Sequence, residues 1–198
     1  MQHSRWLLGL LLAITAPCGF AQIGKNVMIK AGTPEGKALD AINAAGDPAE
    51  KLQLLEKFAA ELAKGDLEIV ADDLFVNYYL TAKNYDKAFE YGEKLWAVDP
   101  DNFQTGINLI RAAQEKGDAA RLISYGEKTA AIVTRYKAQP PPTGKEADVW
   151  AQEKQRTLDD AKESIAYVEQ SVFMTAYRTP KPADRAAFLA RFAGTFPD

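Results

Sequence analysis

Two pairs of adjacent aspartates, Asp72-Asp73 and Asp159-Asp160, are the residues best suited to acid–base chemistry in this sequence of 198 residues. Neighbouring carboxylates can act as general acid and general base. We predict that Asp72-Asp73 opens a helix, where acidic residues accept hydrogen bonds from free amides. Asp159-Asp160 lies among charged residues typical of a solvated helix face. A small exported helical enzyme or ligand-binding protein that uses Asp72 and Asp73 remains the alternative to the non-catalytic function argued below.

Residues 1–21 resemble a secretory signal peptide, with a basic start, an apolar run and small residues before a cut between Ala21 and Gln22. The apolar run, Trp6–Ala16, has eleven residues, whereas a stable membrane span takes roughly 20. We therefore expect cleavage, export to a bacterial periplasm or secretion, and no stable membrane span. Lipidation of Cys18 is the alternative to this cleavage.

The only histidine and the only cysteine, His3 and Cys18, both lie in this predicted leader. Once the leader is removed, the chain has neither imidazole nor thiol. That composition excludes a Ser-His-Asp triad, a cysteine nucleophile, a disulfide framework and a Cys/His zinc site. We therefore expect no catalytic residue, no cofactor and no metal. The Asp99–Asn102 stretch does not suggest a calcium site either, because it lacks the twelve-residue loop and the closing glutamate.

The charge pattern argues against nucleic acid as a partner. Lysine and arginine total 24 against 27 aspartates and glutamates, a formal net charge of −3. The basic residues are scattered among carboxylates, whereas binding to nucleic acid or to an anionic bilayer requires a clustered positive surface. The oligomeric state is not encoded in any pattern of this sequence.

Helical periodicity dominates the sequence from Lys37 onward, where apolar residues recur at the 3.6-residue spacing of α-helices. Turn-forming clusters such as Gly46-Asp47-Pro48 and Lys116-Gly117-Asp118 separate pieces of single-helix length. The sequence therefore predicts an all-α fold, preceded by a flexible lead-in over residues 22–34. Residues 146–178 form either one very long helix or two helices joined end to end.

A repeat with a period of 34 residues is visible in the middle of the chain. Tyr91-Gly92-Glu93-Lys94 recurs as Tyr125-Gly126-Glu127-Lys128, and the neighbouring apolar positions recur with it. A recurring period of this length indicates stacked helical units. We expect the small residues Ala88, Gly92 and Gly126 to let neighbouring helix backbones approach closely.

The segment that contains the first copy resembles a tetratricopeptide repeat. Tyr85, Ala88, Phe89, Tyr91 and the closing Asp99-Pro100 match the second helix of that family. The resemblance implies a right-handed superhelical array of antiparallel helix pairs, an α-solenoid, over residues 35–198. About four units with degenerate ends are expected, near 35–68, 69–102, 103–138 and 146–198.

In that family the first helix of each unit lines a concave groove that receives peptides, which points to a binding row in this chain. Asn43, Asn77 and Arg111 are equivalent positions at the 34-residue shift, and Asp73 and Ile107 lie one helical turn before the last two. Amides and a guanidinium could hold a peptide backbone or a carboxylate, although the same residues would also suit a solvent-exposed polar face. The resemblance thus implies a non-catalytic scaffold that binds a protein or peptide partner.

Overall fold

The computed structural model describes residues 23–197, and within that range its secondary structure consists of helices alone, as the periodicity predicts. Its eight helices are α1 (Pro34–Ala44), α2 (Pro48–Glu61), α3 (Leu67–Thr81), α4 (Tyr85–Val98), α5 (Phe103–Lys116), α6 (Ala119–Ala138), α7 (Ala147–Arg178) and α8 (Pro182–Thr195). The predicted leader and its cut between Ala21 and Gln22 lie outside the described residues. None of the helices in the described range is long and apolar enough to cross a membrane.

Side-chain caps set where several helices begin. The side chains of Asn84, Asn102 and Asp118 each accept a hydrogen bond from the backbone N–H three residues later, at the starts of α4, α5 and α6. Such caps satisfy amides that have no partner inside the helix. α5 ends at Gly117, whose φ of 74° lies in the left-handed region that glycine adopts without strain.

The prediction that Asp72-Asp73 opens a helix is wrong. α3 already begins at Leu67, so both aspartates lie in its second turn. The residue before the helix is Asp66, whose side chain makes no cap hydrogen bond. The acidic residue in the first turn is Glu68. The carboxylates of Asp72 and Asp73 therefore need another explanation than capping.

Short turns join the helices in pairs that contact each other. Two or three residues connect α3 with α4, α5 with α6 and α7 with α8, which is the length of a helical hairpin connection. Every helix contacts the next one in the chain, and α3 also contacts α5, α5 contacts α7 and α6 contacts α8. α7, which pairs with α8, is a single helix of 32 residues, so the two-helix alternative for residues 146–178 is excluded.

Glycines allow the closest approaches between consecutive helices. A Cβ at Gly92 of α4 would lie 2.5 Å from Leu109 Cδ2 of α5, and a Cβ at Gly126 of α6 would overlap Val172 of α7. Leu109 and Val172 are fully buried. The repeated glycine thus receives a large side chain of the next helix in both places, which confirms the expected close approach.

The segment before α1 is partly packed into the core, a contact that the expected flexible lead-in did not include. Ile23 is only 2% exposed and belongs to the large apolar cluster built from α4 to α7. Its carbonyl accepts the backbone N–H of Phe103, and the N–H of Lys25 donates to Asp99 Oδ2 over 2.9 Å. The segment 23–25 is therefore fixed against the turn between α4 and α5.

Candidate functional site

Three alternate helices carry the residues that the repeat register selects. Asn43 lies near the end of α1, Asn77 in the second half of α3 and Arg111 in the second half of α5, and all three side chains are exposed. α3 and α5 are in direct contact. Two side-chain amides and one guanidinium are thus available to solvent at corresponding places along the chain.

Asn43 and Asn77 line the same cavity, of about 450 Å³, between α1, α2 and α3. Its lining combines apolar side chains with polar groups, including Leu55, Tyr78 and Lys51. We call this space the amide cavity. Arg111 is not part of its lining, so the structure brings together two of the three residues in one concave space.

Asp73 supports the Asn77 side chain. Asn77 Nδ2 donates to the backbone carbonyl of Asp73 over 2.9 Å and to its carboxylate over 3.0 Å. Burial raises the pKa of Asp73, while the hydrogen bond from Asn77 lowers it. With both N–H groups of Nδ2 directed at Asp73, the side-chain oxygen of Asn77 is the group best placed to accept a hydrogen bond from a ligand.

Ile107 does not reach the surface. It is 6% exposed and belongs to the large apolar cluster. Next to it, Asn108 is buried and its Nδ2 has no hydrogen-bond partner among the described residues, although its Oδ1 accepts Gln104 Nε2. Ile107 therefore contributes to packing under the row of exposed residues and cannot touch a partner in this conformation.

Asp72, the other candidate carboxylate, has an unusual titration. Burial raises the pKa of Asp72 to about 6, the Lys94 ammonium lowers it and the Glu68 carboxylate raises it. Asp72 and Asp73 are consecutive in a helix, and consecutive side chains point in different directions. They do not act on one group together, and neither lines the amide cavity.

The repeated aromatic residues mainly pack against one another, as their helical spacing indicates. Phe75 and Tyr91 stack with ring centroids 4.3 Å apart, and Tyr79 lies 5.6 Å from Tyr91. Trp96 donates its indole N–H to the carbonyl of Asn102. These contacts join α3 to α4 and hold the turn that follows α4.

A second cavity, of about 870 Å³, lies at the corner formed by segment 23–26, the α4–α5 turn, the end of α6 and the start of α7. We call it the corner cavity. Its lining includes Asp99, Arg135, Tyr136, Trp150 and Arg156. Sequence reasoning did not find it, because its walls come from four separate parts of the chain; the only local signal was the polar Asp99–Asn102 turn.

Within residues 23–197 no group of three or more histidine, cysteine, aspartate or glutamate side chains is arranged to hold a metal ion. No family model, no curated protein and no solved structure matches this chain. The class that the fold of residues 23–197 defines is that of an all-helical protein.

Proposed function

We propose that this protein is an exported, non-catalytic scaffold of the tetratricopeptide-like kind, which binds a protein or peptide partner along the faces of α1, α3 and α5. The observation that carries the proposal is the exposure of Asn43, Asn77 and Arg111 on these alternate helices, with the two amides in one cavity. The arrangement as an α-solenoid of about four units is part of the same proposal. It is supported by the hairpin connections and by the repeated glycine contacts.

The chemistry of the row suits an extended peptide. A side-chain amide offers both a donor and an acceptor, which match the backbone C=O and N–H of a peptide strand. Asp73 already occupies the donor groups of Asn77, so this amide serves as an acceptor for a peptide N–H. Arg111 supplies a guanidinium that can bind a carboxylate with two parallel hydrogen bonds. A partner peptide with an acidic side chain or C-terminus would use all three.

Site-specific photo-crosslinking tests this assignment. A benzophenone side chain placed at Asn43 should capture a partner peptide in cells that make the protein, and mass spectrometry should locate the captured segment. Crosslinking from the amide cavity should be lost when Asn77 and Arg111 are both replaced by alanine. Retention of the same crosslink at wild-type yield in that variant would refute the groove assignment.

A matched control separates loss of binding from loss of fold. Gln152 and Lys162 are exposed residues of α7 that offer the same kinds of group as Asn77 and Arg111, one amide and one cation. Replacing them by alanine should leave the crosslink unchanged. Circular dichroism of both variants checks that each retains its helices. Sequencing the N-terminus of the exported protein tests the cut before Gln22 independently of any partner.

A further inference from the structure

The corner cavity contains a buried carboxylate that forms no ion pair with any residue from 23 to 197. Asp99 is 3% exposed. Its Oδ2 accepts the backbone N–H of Lys25 over 2.9 Å and the Asn102 side-chain amide over 3.2 Å. Within residues 23–197 it forms no ion pair, and its Oδ1 accepts no hydrogen bond. A buried carboxylate is costly unless hydrogen bonds and an opposite charge compensate it, so a cationic group that entered the cavity would be stabilised there.

The cavity also offers one guanidinium that is not neutralised. Arg156, an exposed residue of α7, forms no ion pair with any residue that the structure describes. The other charged side chains of the lining already have partners: Lys25 with Asp66, Arg135 with Asp101, and Glu153 with Lys145. One carboxylate and one guanidinium therefore remain for a ligand.

The remaining wall is aromatic and aliphatic. The rings of Tyr136 and Trp150 meet edge to face with centroids 6.0 Å apart, and Ile23 and Pro100 also contribute to the lining. The indole N–H of Trp150 donates to the carbonyl of Gln139, which fixes the ring at the cavity wall. An occupant should therefore present apolar surface beside its two charged groups.

We propose that the corner cavity binds a short peptide or an amino acid with free termini. The ammonium group pairs with Asp99, the carboxylate pairs with Arg156, and the apolar side chains lie against Tyr136 and Trp150. The lining has three cationic and three anionic side chains, which disfavours a ligand with charge of only one sign. The volume of the cavity falls in the range of small-molecule sites, roughly 300–1,000 Å³. This proposal does not rest on the groove, because the two cavities share no lining residue.

Calorimetric titration of the purified protein with the dipeptide Leu-Leu tests the proposal. We expect saturable binding, and about 10-fold to 100-fold weaker binding of N-acetyl-Leu-Leu, because acetylation removes the charge that faces Asp99. The amide Leu-Leu-NH₂ should lose a similar factor. This comparison probes Asp99 without mutating it, which matters because Asp99 also holds the segment that contains Lys25.

Two variants probe the other end of the ligand. Arg156→Gln should weaken binding of Leu-Leu to the level of its amide and leave binding of the amide itself unchanged. Lys162→Gln, a change of an exposed cation on the same helix, should leave both affinities unchanged. Leucine that binds as tightly as Leu-Leu would identify the free amino acid as the ligand. The proposal is overturned if no binding is seen at about 10 mM Leu-Leu, a concentration above millimolar Kd values. Equal binding of the free and acetylated dipeptides would also overturn it.

Discussion

Replacement of Gly92 by alanine measures how tightly α4 and α5 pack. The added Cβ would lie 2.5 Å from Leu109 Cδ2, 2.9 Å from Cγ and 3.1 Å from Cδ1. Carbon atoms in contact prefer about 3.5–4.0 Å, so Leu109 or a helix would have to move by about 1 Å. Leu109 is fully buried, so its side chain cannot turn into solvent without leaving the core. Overpacking of this kind costs about 1–3 kcal/mol.

Gly194→Ala is the matched control, because Gly194 also lies in a helix and a Cβ there would meet nothing within 4 Å. Both substitutions gain the helix propensity of alanine, at most about 1 kcal/mol. Because Gly194 is the next-to-last residue of α8, alanine gains no more there than at Gly92 in the middle of α4, and the difference in unfolding free energy between the two variants is a lower limit on the overpacking cost. We expect Gly194→Ala to be neutral or stabilising and Gly92→Ala to be less stable than it by about 1–3 kcal/mol.

Urea denaturation followed by circular dichroism gives these free energies, provided that the slopes of the transitions agree. A double-mutant cycle then assigns the cost to one contact. Leu109→Ala alone should cost about 2–5 kcal/mol. It should cost less in the Gly92→Ala background, because shortening Leu109 removes its clash with the new Cβ and the alanine methyl group fills part of the vacated space. A Gly92→Ala variant as stable as Gly194→Ala would refute the close approach of α4 and α5.

Three further predictions concern single side chains. Burial raises the pKa of Asp72 to about 6, so the folded chain binds this proton more tightly than the unfolded chain and loses stability as the pH rises from about 4 to 6. Asp72→Asn should therefore stabilise the fold by about 1 kcal/mol at about pH 7.5, after allowance for solvent screening, and should not stabilise it at about pH 3. An equal gain in urea titrations at both pH values would contradict this. Tyr125→Phe removes a 2.7 Å hydrogen bond to a carboxylate of α4 and should cost about 1 kcal/mol in urea denaturation, whereas Tyr167→Phe, which removes an exposed hydrogen bond, should cost clearly less. Ile23→Ala should cost about 2–5 kcal/mol, while Met28→Ala, at a side chain that is 88% exposed, should change the stability by less than about 0.5 kcal/mol; equal thermal stability of these two variants would show that Ile23 is not packed.

Local signals predicted the helices well where capping residues and turn glycines mark the boundaries. Gly117, in the left-handed conformation, and Asp118, which caps α6, are an example: both act through their own backbone neighbourhood. The start of α3 was predicted incorrectly because an acidic pair also suits the interior of a half-buried helix. Whether Asp72 caps a helix or is packed beside Lys94 depends on where α4 lies, and residue type alone does not encode that.

The candidate site residues likewise include some features that a local pattern predicts and others that depend on how the helices pack. The repeat register selects Asn43 and Asn77 as equivalent positions, and their shared cavity follows from the packing of α1 against α2 and of α2 against α3. Ile107 satisfies the same register but faces the core. Ile107 and Arg111 are one turn apart and lie on nearly the same face of α5, so the register alone does not predict that neighbouring elements cover Ile107 and leave Arg111 exposed.

The repeated Tyr-Gly-Glu-Lys motif has a physical explanation in contacts between helices. Its glycine receives a buried side chain of the next helix, and its glutamate reaches further: Glu93 accepts a hydrogen bond from Tyr125 on α6, and Glu127 forms two hydrogen bonds with Arg191 on α8. The motif therefore encodes helix stacking, which is the part of the fold that recurs. The corner cavity forms instead from segments outside the motif: the chain before α1, the turn after α4 and the stretch on either side of the proline-rich connection between α6 and α7. Periodicity predicts what recurs, whereas the corner cavity also needs two stretches that have no counterpart in the repeat, the chain before α1 and the proline-rich connection after α6.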